Sequence, residues 1–219
     1  MQQKRIGILY ITYDGLCDPL GQSQVIPYIK GLADRGVNIV VLSYEKKGRI
    51  NEAAVLEAIK SEFDQHKIIW KYLSYHNNPR FFATLYDIVS GVMSGLSLIG
   101  KYELDIVHAR GYVPAFIASW IKRFTKIRFI FDMRGFWVEE KVDSGFWRKG
   151  GISYRIAKFP EKNILNLADQ VIVLTQKAKQ FLSAHADGSG MDIDVVPTCV
   201  NSDLFKRHPA LRGIFCKTR

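Results

Sequence analysis

Apolar runs of strand length alternate with amphipathic helical segments from one end of this 219-residue chain to the other. That alternation predicts an α/β fold, a doubly wound and mostly parallel sheet of about seven strands. Two further features agree. Segments such as Val37–Ser43 (VNIVVLS) are apolar almost without a break, as strands covered on both faces must be. Most strand-like runs also end in polar or charged residues, which right-handed crossovers would gather along one rim of the sheet.

The first strand covers Arg5–Thr12. The stretch Ile11–Gly36 carries the chain through a Gly/Asp/Pro-rich loop into a helix starting near Ser23 or Gln24. Val25, Ile29, Leu32 and Ala33 share one helical face. Pro27 sits near the first turn, where a missing N–H does least harm, and Gly36 is expected to stop the helix. Strand two is Val37–Ser43. Glu45–Asn51 reads as a charged loop, with Asn51 capping a helix over Glu52–Asp64, and strand three is Lys67–Leu73. Pro79–Gly100 is the most apolar helix. Asp87 lies inside it, Arg80 and Lys101 flank it, and Gly91, Gly95 and Gly100 are expected to loosen it. A membrane span wants about twenty apolar residues free of charge, so this helix is expected to pack on the sheet, with a membrane-touching surface as the alternative.

Strand four is Leu104–Ala109, followed by a helix over Val113–Phe124 and strand five over Ile127–Phe131. Asp132–Gly151 reads as a long aromatic and charged loop. A helix over Tyr154–Leu167, strand six over Gln170–Leu174 and a helix over Gln176–Ala184 capped by Thr175 come next. Asp187–Gly190 is a turn, and Asp192–Val196 is strand seven. The whole pattern is Rossmann-like.

Composition is that of an ordinary globular chain, 47% hydrophobic and 24% charged, so a sizeable core is expected. The formal net charge of +10 suggests an anionic partner: a membrane surface, a nucleic acid or a phosphorylated substrate. The charge does not choose among them, but no dense Lys/Arg run occurs, which argues against a disordered nucleic-acid arm, and no nucleic-acid partner is expected. Cys17, Cys199 and Cys216 are too widely spaced for a disulfide framework or a zinc site and read as reduced thiols of a cytoplasmic protein. The N-terminal apolar run is short and meets Asp14 and Gly15 without a cleavage site, so it reads as a strand and not as a signal peptide.

The rim collects the candidate site. A strand, a glycine loop and a helix start can hold a phosphate, and Gly21, Gln22 and Ser23 lie where it would sit. The other reading is a surface loop with turn residues. Asp14 and Asp18 come from the same loop, His108, Arg110 and Tyr112 from the loop after strand four, and Thr175 from the loop after strand six. The loop after strand five adds Asp132, Arg134, Trp137, Glu139 and Glu140. Arginines grip phosphate oxygens in bidentate fashion, carboxylates accept hydrogen bonds from sugar hydroxyls, and Trp137 offers a flat apolar face. The competing reading for Arg134 is a structural ion pair with Glu139 or Glu140, and for His108 a hydrogen-bonded core histidine. No GxGxxG follows strand one, and no GxxxxGK[ST], GxSxG, HExxH or CxxC motif occurs; no cofactor and no metal are expected.

Five segments, DGLCDPLGQSQVIPYIKGLADRG (14–36), DIVHARGYVPAFIA (105–118), FIFDMRGFWVEEKVDSGFW (129–147), ADQVIVLTQKAK (168–179) and VVPTCVNSDLF (195–205), resemble in order and spacing the N-terminal domain of bacterial GT-B fold glycosyltransferases of the retaining family 4. The resemblance implies sugar transfer from a nucleotide-sugar donor to a glycan or lipid-linked acceptor in cell-surface polysaccharide synthesis. Gly21 and Gln22 then carry over to the donor-phosphate loop, with Ser23 beside them. Asp132 and Arg134 carry over to the acceptor side and, with His108, are the candidate catalytic residues. Asp14, Arg110, Trp137, Glu139, Glu140 and Thr175 are expected to line the acceptor cleft. Many relatives have a histidine in the loop after strand five; this chain has DMRG, so no histidine role is transferred there.

Asn201 and Asp203 lie in a stretch resembling the family's junction to a second Rossmann-like domain, which carries most of the donor site. Only Lys206–Arg219 follow here. The expectation is one domain over residues 1–205 with a short basic tail, inactive alone, and either a truncated product or one subunit of a split enzyme whose partner is a separate C-terminal half. Enzymes of this kind that act on lipid-linked acceptors sit on anionic membranes, and Lys122, Arg123, Lys126 and Arg128, interleaved with Trp120, Phe124 and Phe129, are the candidate patch on the inner face of the plasma membrane, the other reading being a solvated helix end. Two alternatives remain from other classes. One is a non-catalytic binding or regulatory subunit, or an inactive truncated product. The other is a sugar-nucleotide epimerase, against which RGFW and PLGQSQ count.

Overall fold

The computed structural model of the protein describes residues 5–185 and 191–198. Seven strands form one sheet: β1 (Gly7–Thr12), β2 (Asn38–Glu45), β3 (Ile69–Ser74), β4 (Ile106–Arg110), β5 (Arg128–Met133), β6 (Gln170–Val173) and β7 (Ile193–Val195). Their order is β3-β2-β1-β4-β5-β6-β7 and every pairing is parallel. The helices are α1 (Ile26–Ala33), α2 (Lys47–Ile50), α3 (Ala53–Gln65), α4 (Arg80–Tyr102), α5 (Tyr112–Phe124), α6 (Trp137–Asp143), α7 (Ile152–Leu167) and α8 (Gln176–His185).

Alternation along each strand splits the core in two. Leu9, Ile11, Val107, Ala109, Phe129 and Phe131 face one side, where they meet α4, α5, α7 and α8. Tyr10, Ile39 and Val41 face the other, under α1 and α3. Strand order reverses between β1 and β4, so a crevice opens beyond their C-terminal ends.

Several local expectations are corrected. The first helix does not start at Ser23: a π-helical turn over Gly21–Val25 leads into α1, and the Gln22 amide already donates to the Asp18 carbonyl at 3.0 Å. Gly21 is therefore inside a helical segment, pressed against the loop backbone before it. Glu45 belongs to β2 and is fully buried, and the supposed charged loop contains the short α2. Asn51 does not cap α3; the preceding residue is Glu52, and no side chain caps the helix. The long loop after β5 holds α6, so Glu139 and Glu140 lie in a first helical turn.

Gly91 and Gly95 do not loosen α4. A Cβ on Gly91 would stand 2.2 Å from Tyr44 Oη, and one on Gly95 2.5 Å from Ile121 Cδ1, so these glycines let α4 pack closely on β2 and α5. The Asp87 carboxylate is buried inward and accepts from Tyr13 Oη at 2.7 Å. Its other oxygen lies 2.6 Å from His76 Nδ1. α4 is long and apolar enough to cross a membrane by composition, but these contacts bind it into the α/β fold.

The expected basic patch also changes. Phe129 is fully buried in the sheet, and Lys122 pairs with Asp169 at 2.5 Å. Asn201, Asp203, Cys199, Cys216 and the tail lie outside the described residues.

Candidate functional site

Adjacent strands bring the candidate residues together by register. Tyr10 of β1 stands opposite His108 of β4, Thr12 opposite Arg110, and Arg110 opposite Asp132 of β5. His108, Arg110 and Asp132 thus share the α1 side of the sheet, at and just below the rim. β4 and β5 run farther than the sequence indicated, so Arg110 and Asp132 join His108 as strand residues and are not loop residues.

Asp132 is the centre of the cluster. Its Oδ1 accepts from Arg134 Nη1 at 3.3 Å, and its Oδ2 lies 3.6 Å from Arg110 Nη1 and 3.8 Å from His108 Nε2. Burial opposes the charged form of Asp132, but His108, Arg134 and Arg110 outweigh it and hold the carboxyl below the usual carboxylate value. Asp132 therefore stays ionised and can accept a hydrogen bond from a hydroxyl, but it is a poor proton donor.

Arg110 is buried. Its Nε donates to Asp14 Oδ2 at 3.4 Å and its Nη2 to Gln24 Oε1 at 2.7 Å. Arg134 reaches farther out; its Nη2 donates to Thr198 Oγ1 at 2.6 Å and lies 3.5 Å from Gln24 Oε1. The competing reading, a pair of Arg134 with Glu139 or Glu140, is not what forms: the guanidinium turns to Asp132, while Glu139 pairs with Lys158 at 2.5 Å.

His108 is 2% exposed and sits beneath the rim, not on it. Its ring packs at 4.7 Å from Tyr10 and 5.7 Å from Tyr28. Among the described residues neither its Nε2 nor the Tyr10 hydroxyl has a hydrogen-bond partner. His108 supports Asp132 from behind and has no path to solvent through its own surface.

The donor-phosphate candidates have local partners. Gln22 Nε2 donates to the Cys17 carbonyl at 3.0 Å, and Ser23 Oγ to the Pro19 carbonyl at 2.8 Å. A Cβ at Gly21 would come within 2.1 Å of the Gly15 carbonyl oxygen and 2.7 Å of Leu16 Cα. Gly21 thus fixes how the loop folds over the helix start, whatever it binds.

Behind that loop stands a residue the sequence reading missed as a site support. Glu45 Oε1 accepts from the Leu16 amide at 2.7 Å and from Ser43 Oγ at 2.6 Å, and its Oε2 accepts from the Cys17 amide at 3.2 Å. The Cys17 thiol is pushed up to about 12 by burial and by the nearby Glu45 carboxylate, so it is unreactive. Replacing Glu45 by Ala leaves two loop amides without their acceptor. We expect a loss of about 2 kcal/mol, read by urea unfolding, with faster hydrogen exchange at Leu16 and Cys17.

Gln24 was also missed. It stands one turn before Tyr28, the tyrosine packed on His108, and that i, i+4 spacing from an aromatic facing the sheet is the signal that could have placed it at the crevice.

The remaining acceptor-cleft candidates form a second region. Glu139, Glu140 and Thr175 line an open pocket of about 1170 Å³ between α6, α7 and α8, with Phe136, Lys158 and Phe181. Thr175 Oγ1 also accepts from the Ala178 amide at 3.1 Å, the cap expected for α8. Trp137 stands apart, edge-on to Trp147 at 5.3 Å. Tyr112 braces the wall of the pocket: its hydroxyl lies 3.0 Å from Glu161 Oε2 and 3.1 Å from the Gly135 carbonyl. The single crevice expected from the sequence is therefore an arginine cluster on one side of the sheet and a pocket on the other.

A glycosyltransferase from Rickettsia africae has the same fold at 18% identity and a TM-score of 0.56, covering 95% of this chain and 48% of its own. Anabaena HepE, solved in complex with UDP and glucose, is similar at 15% identity and a TM-score of 0.56, covering 94% and 48%. A putative UDP-N-acetylglucosamine 2-epimerase from Listeria monocytogenes gives 17% identity and a TM-score of 0.58 over 96% and 51%. The chain thus spans about half the length of each. At these identities the likeness is one of fold, and it does not separate transferase from epimerase. Sequence comparison with curated proteins finds no match. The model of Glycosyltransferase Family 4 matches residues 23–204, most of the sequence. The chain belongs to glycosyltransferase family 4.

Proposed function

We propose that this domain forms the acceptor-side wall of a site that transfers a sugar from a nucleotide-sugar donor to a glycan or lipid-linked acceptor in cell-surface polysaccharide synthesis. The observation that carries the reading is the convergence of Arg110 and Arg134 on Gln24 and Asp132, at the crevice where strand order reverses. Arg134 presents the more exposed guanidinium to a phosphate oxygen. Ionised Asp132 accepts a hydroxyl proton in a hydrogen bond and holds both arginines in place. Gly21 to Ser23 bring the loop after β1 against the donor.

Since the chain spans about half of the solved structures it matches, transfer is proposed for this domain acting with a second one. The 219-residue chain alone is expected to raise its melting temperature with UDP-glucose or GDP-mannose and not with uridine. Arg134→Ala abolishes that rise. The same chain is expected to release no nucleotide from either donor when a glycan acceptor is added. A rise that is equal for uridine and the sugar nucleotides would count against the phosphate role of Arg134, and turnover by the chain alone would contradict the half-site.

A further inference from the structure

A buried charge at the C-terminal ends of β1 and β3 takes no part in the arginine cluster. Asp87 lies early in α4 and is fully buried. An unpaired carboxylate there would be costly, and three donors meet it. Its Oδ2 accepts from Tyr13 Oη at 2.7 Å and from the His76 backbone amide at 3.2 Å. Its Oδ1 lies 2.6 Å from His76 Nδ1. Burial and the Asp87 carboxylate push the Tyr13 hydroxyl up, so it stays a donor.

This arrangement fixes the imidazole. A carboxylate only accepts, so Nδ1 carries the hydrogen, and a neutral ring then holds its lone pair at Nε2, on the edge away from Asp87. The His76 side chain is 38% exposed, and among the described residues no hydrogen bond engages Nε2. Tyr86 stands edge-on to the imidazole at 5.1 Å, and it is 62% exposed. The supports behind them are rigid. Tyr44 Oη donates to the Asp87 carbonyl at 2.5 Å, and Tyr75 packs edge-on to Tyr13 at 5.2 Å.

We infer that His76 and Tyr86 form a sugar-binding subsite, in which Nε2 accepts a hydrogen bond from a pyranose hydroxyl and the Tyr86 ring lies against the sugar's C–H face. Asp87 is its positioning residue. An oriented polar group beside an aromatic wall is the general make-up of a small-ligand site. The weakly positive C–H groups of a pyranose suit the negative face of an aromatic ring. A brace for the loop after β3 needs only the Tyr13 hydroxyl and the His76 amide on Asp87; the imidazole adds an aimed acceptor at the surface. Tyr13 directly precedes Asp14, whose Oδ2 accepts from Arg110 Nε at 3.4 Å, so one loop carries both the arginine cluster and the Asp87 unit. The choice of a sugar over another hydroxyl-bearing ligand rests on the proposed glycosyl transfer, and the oriented imidazole does not.

Ring signals of His76 and Tyr86, followed by NMR in the 219-residue chain, test it. Methyl α-glucopyranoside, methyl α-mannopyranoside and methyl β-galactopyranoside are titrated in turn, with glycerol at matched hydroxyl content as the control. At least one glycoside is expected to shift both rings saturably, and glycerol neither. His76→Ala weakens that glycoside by about tenfold, the loss of one hydrogen bond. Tyr86→Ser weakens it to a similar extent, and Tyr86→Phe leaves it unchanged. Ring nitrogen shifts of neutral His76 place the hydrogen on Nδ1, and Asp87→Asn moves part of it to Nε2. Circular dichroism confirms that the variants fold; should His76→Ala or Asp87→Asn fail to, the exposed Tyr86 variants and the wild-type tautomer carry the test. The inference is overturned by glycosides that move neither ring or move them no more than glycerol does. Binding unchanged in folded His76→Ala or in Tyr86→Ser also overturns it, as does a wild-type hydrogen on Nε2. The response of the arginine crevice to UDP-glucose is read from other residues, so failure of the subsite and failure of the donor reading are distinguished.

Discussion

Asp132→Ala is expected to destabilise the domain by roughly 3 kcal/mol and to abolish the melting-temperature rise with sugar nucleotides. The carboxylate is buried between Arg110, Arg134 and His108, and Arg110 is itself buried. Removing it leaves like charges facing each other with little water to screen them, the situation in which breaking a buried pair costs about 3–5 kcal/mol. Arg134 is partly exposed and can swing outward, which keeps the expected figure at the lower end. Asp132→Asn retains shape and one acceptor oxygen, so it should lose less stability while still losing ligand response.

The pH dependence has a definite sign. The folded-state pKa of Asp132 lies below its ordinary value of 3.8. Its stabilising contribution is therefore fully present above that value and is lost as pH falls through the lowered folded value. Acid unfolding followed by circular dichroism should show a weaker pH dependence below 3.8 in Asp132→Asn than in the wild type.

Gly21→Ala is the second large effect. The new methyl would meet the Gly15 carbonyl oxygen at 2.1 Å and Leu16 Cα at 2.7 Å, and both are backbone atoms that no rotamer change can move. The loop must lift from the helix start, and Glu45, which holds the Leu16 and Cys17 amides, resists that movement. The expected cost is at or above the top of the roughly 1–3 kcal/mol range for overpacking, measured by urea unfolding. Gly36→Ala is the informative comparison. Its φ of +86° carries backbone strain, but nothing lies near the added Cβ. Its cost should be about 1 kcal/mol, the low end of the penalty for a left-handed backbone at a residue that carries a Cβ.

The contrast between those two glycines illustrates what a linear sequence can convey. Gly36 follows an apolar periodic segment, so its role as a helix stop is legible from pattern alone. Gly21 looks like a phosphate-loop glycine in sequence, and only the approach of Gly15 and Leu16 reveals its packing role. Strands were legible because burial on both faces forces apolar runs, and Arg110, Asp132 and Arg134 were legible because they close those runs. Glu45 and Asp87 were not, since a buried carboxylate depends on partners contributed by distant segments: Leu16 and Ser43 for one, Tyr13 and His76 for the other. The separation of Glu139 and Thr175 from Arg110 was equally hidden, because strand alternation sets which side of the sheet a rim residue serves.

On the proposed reading, a nucleotide sugar meets this domain in the crevice between β1 and β4. Backbone amide shifts of the 219-residue chain during titration with UDP-glucose test it most directly. Saturable shifts are expected at residues 21–24, 111 and 132–135, and they vanish in Arg134→Ala. Saturable shifts confined to α3, or shifts at the crevice that persist unchanged in Arg134→Ala, would contradict it.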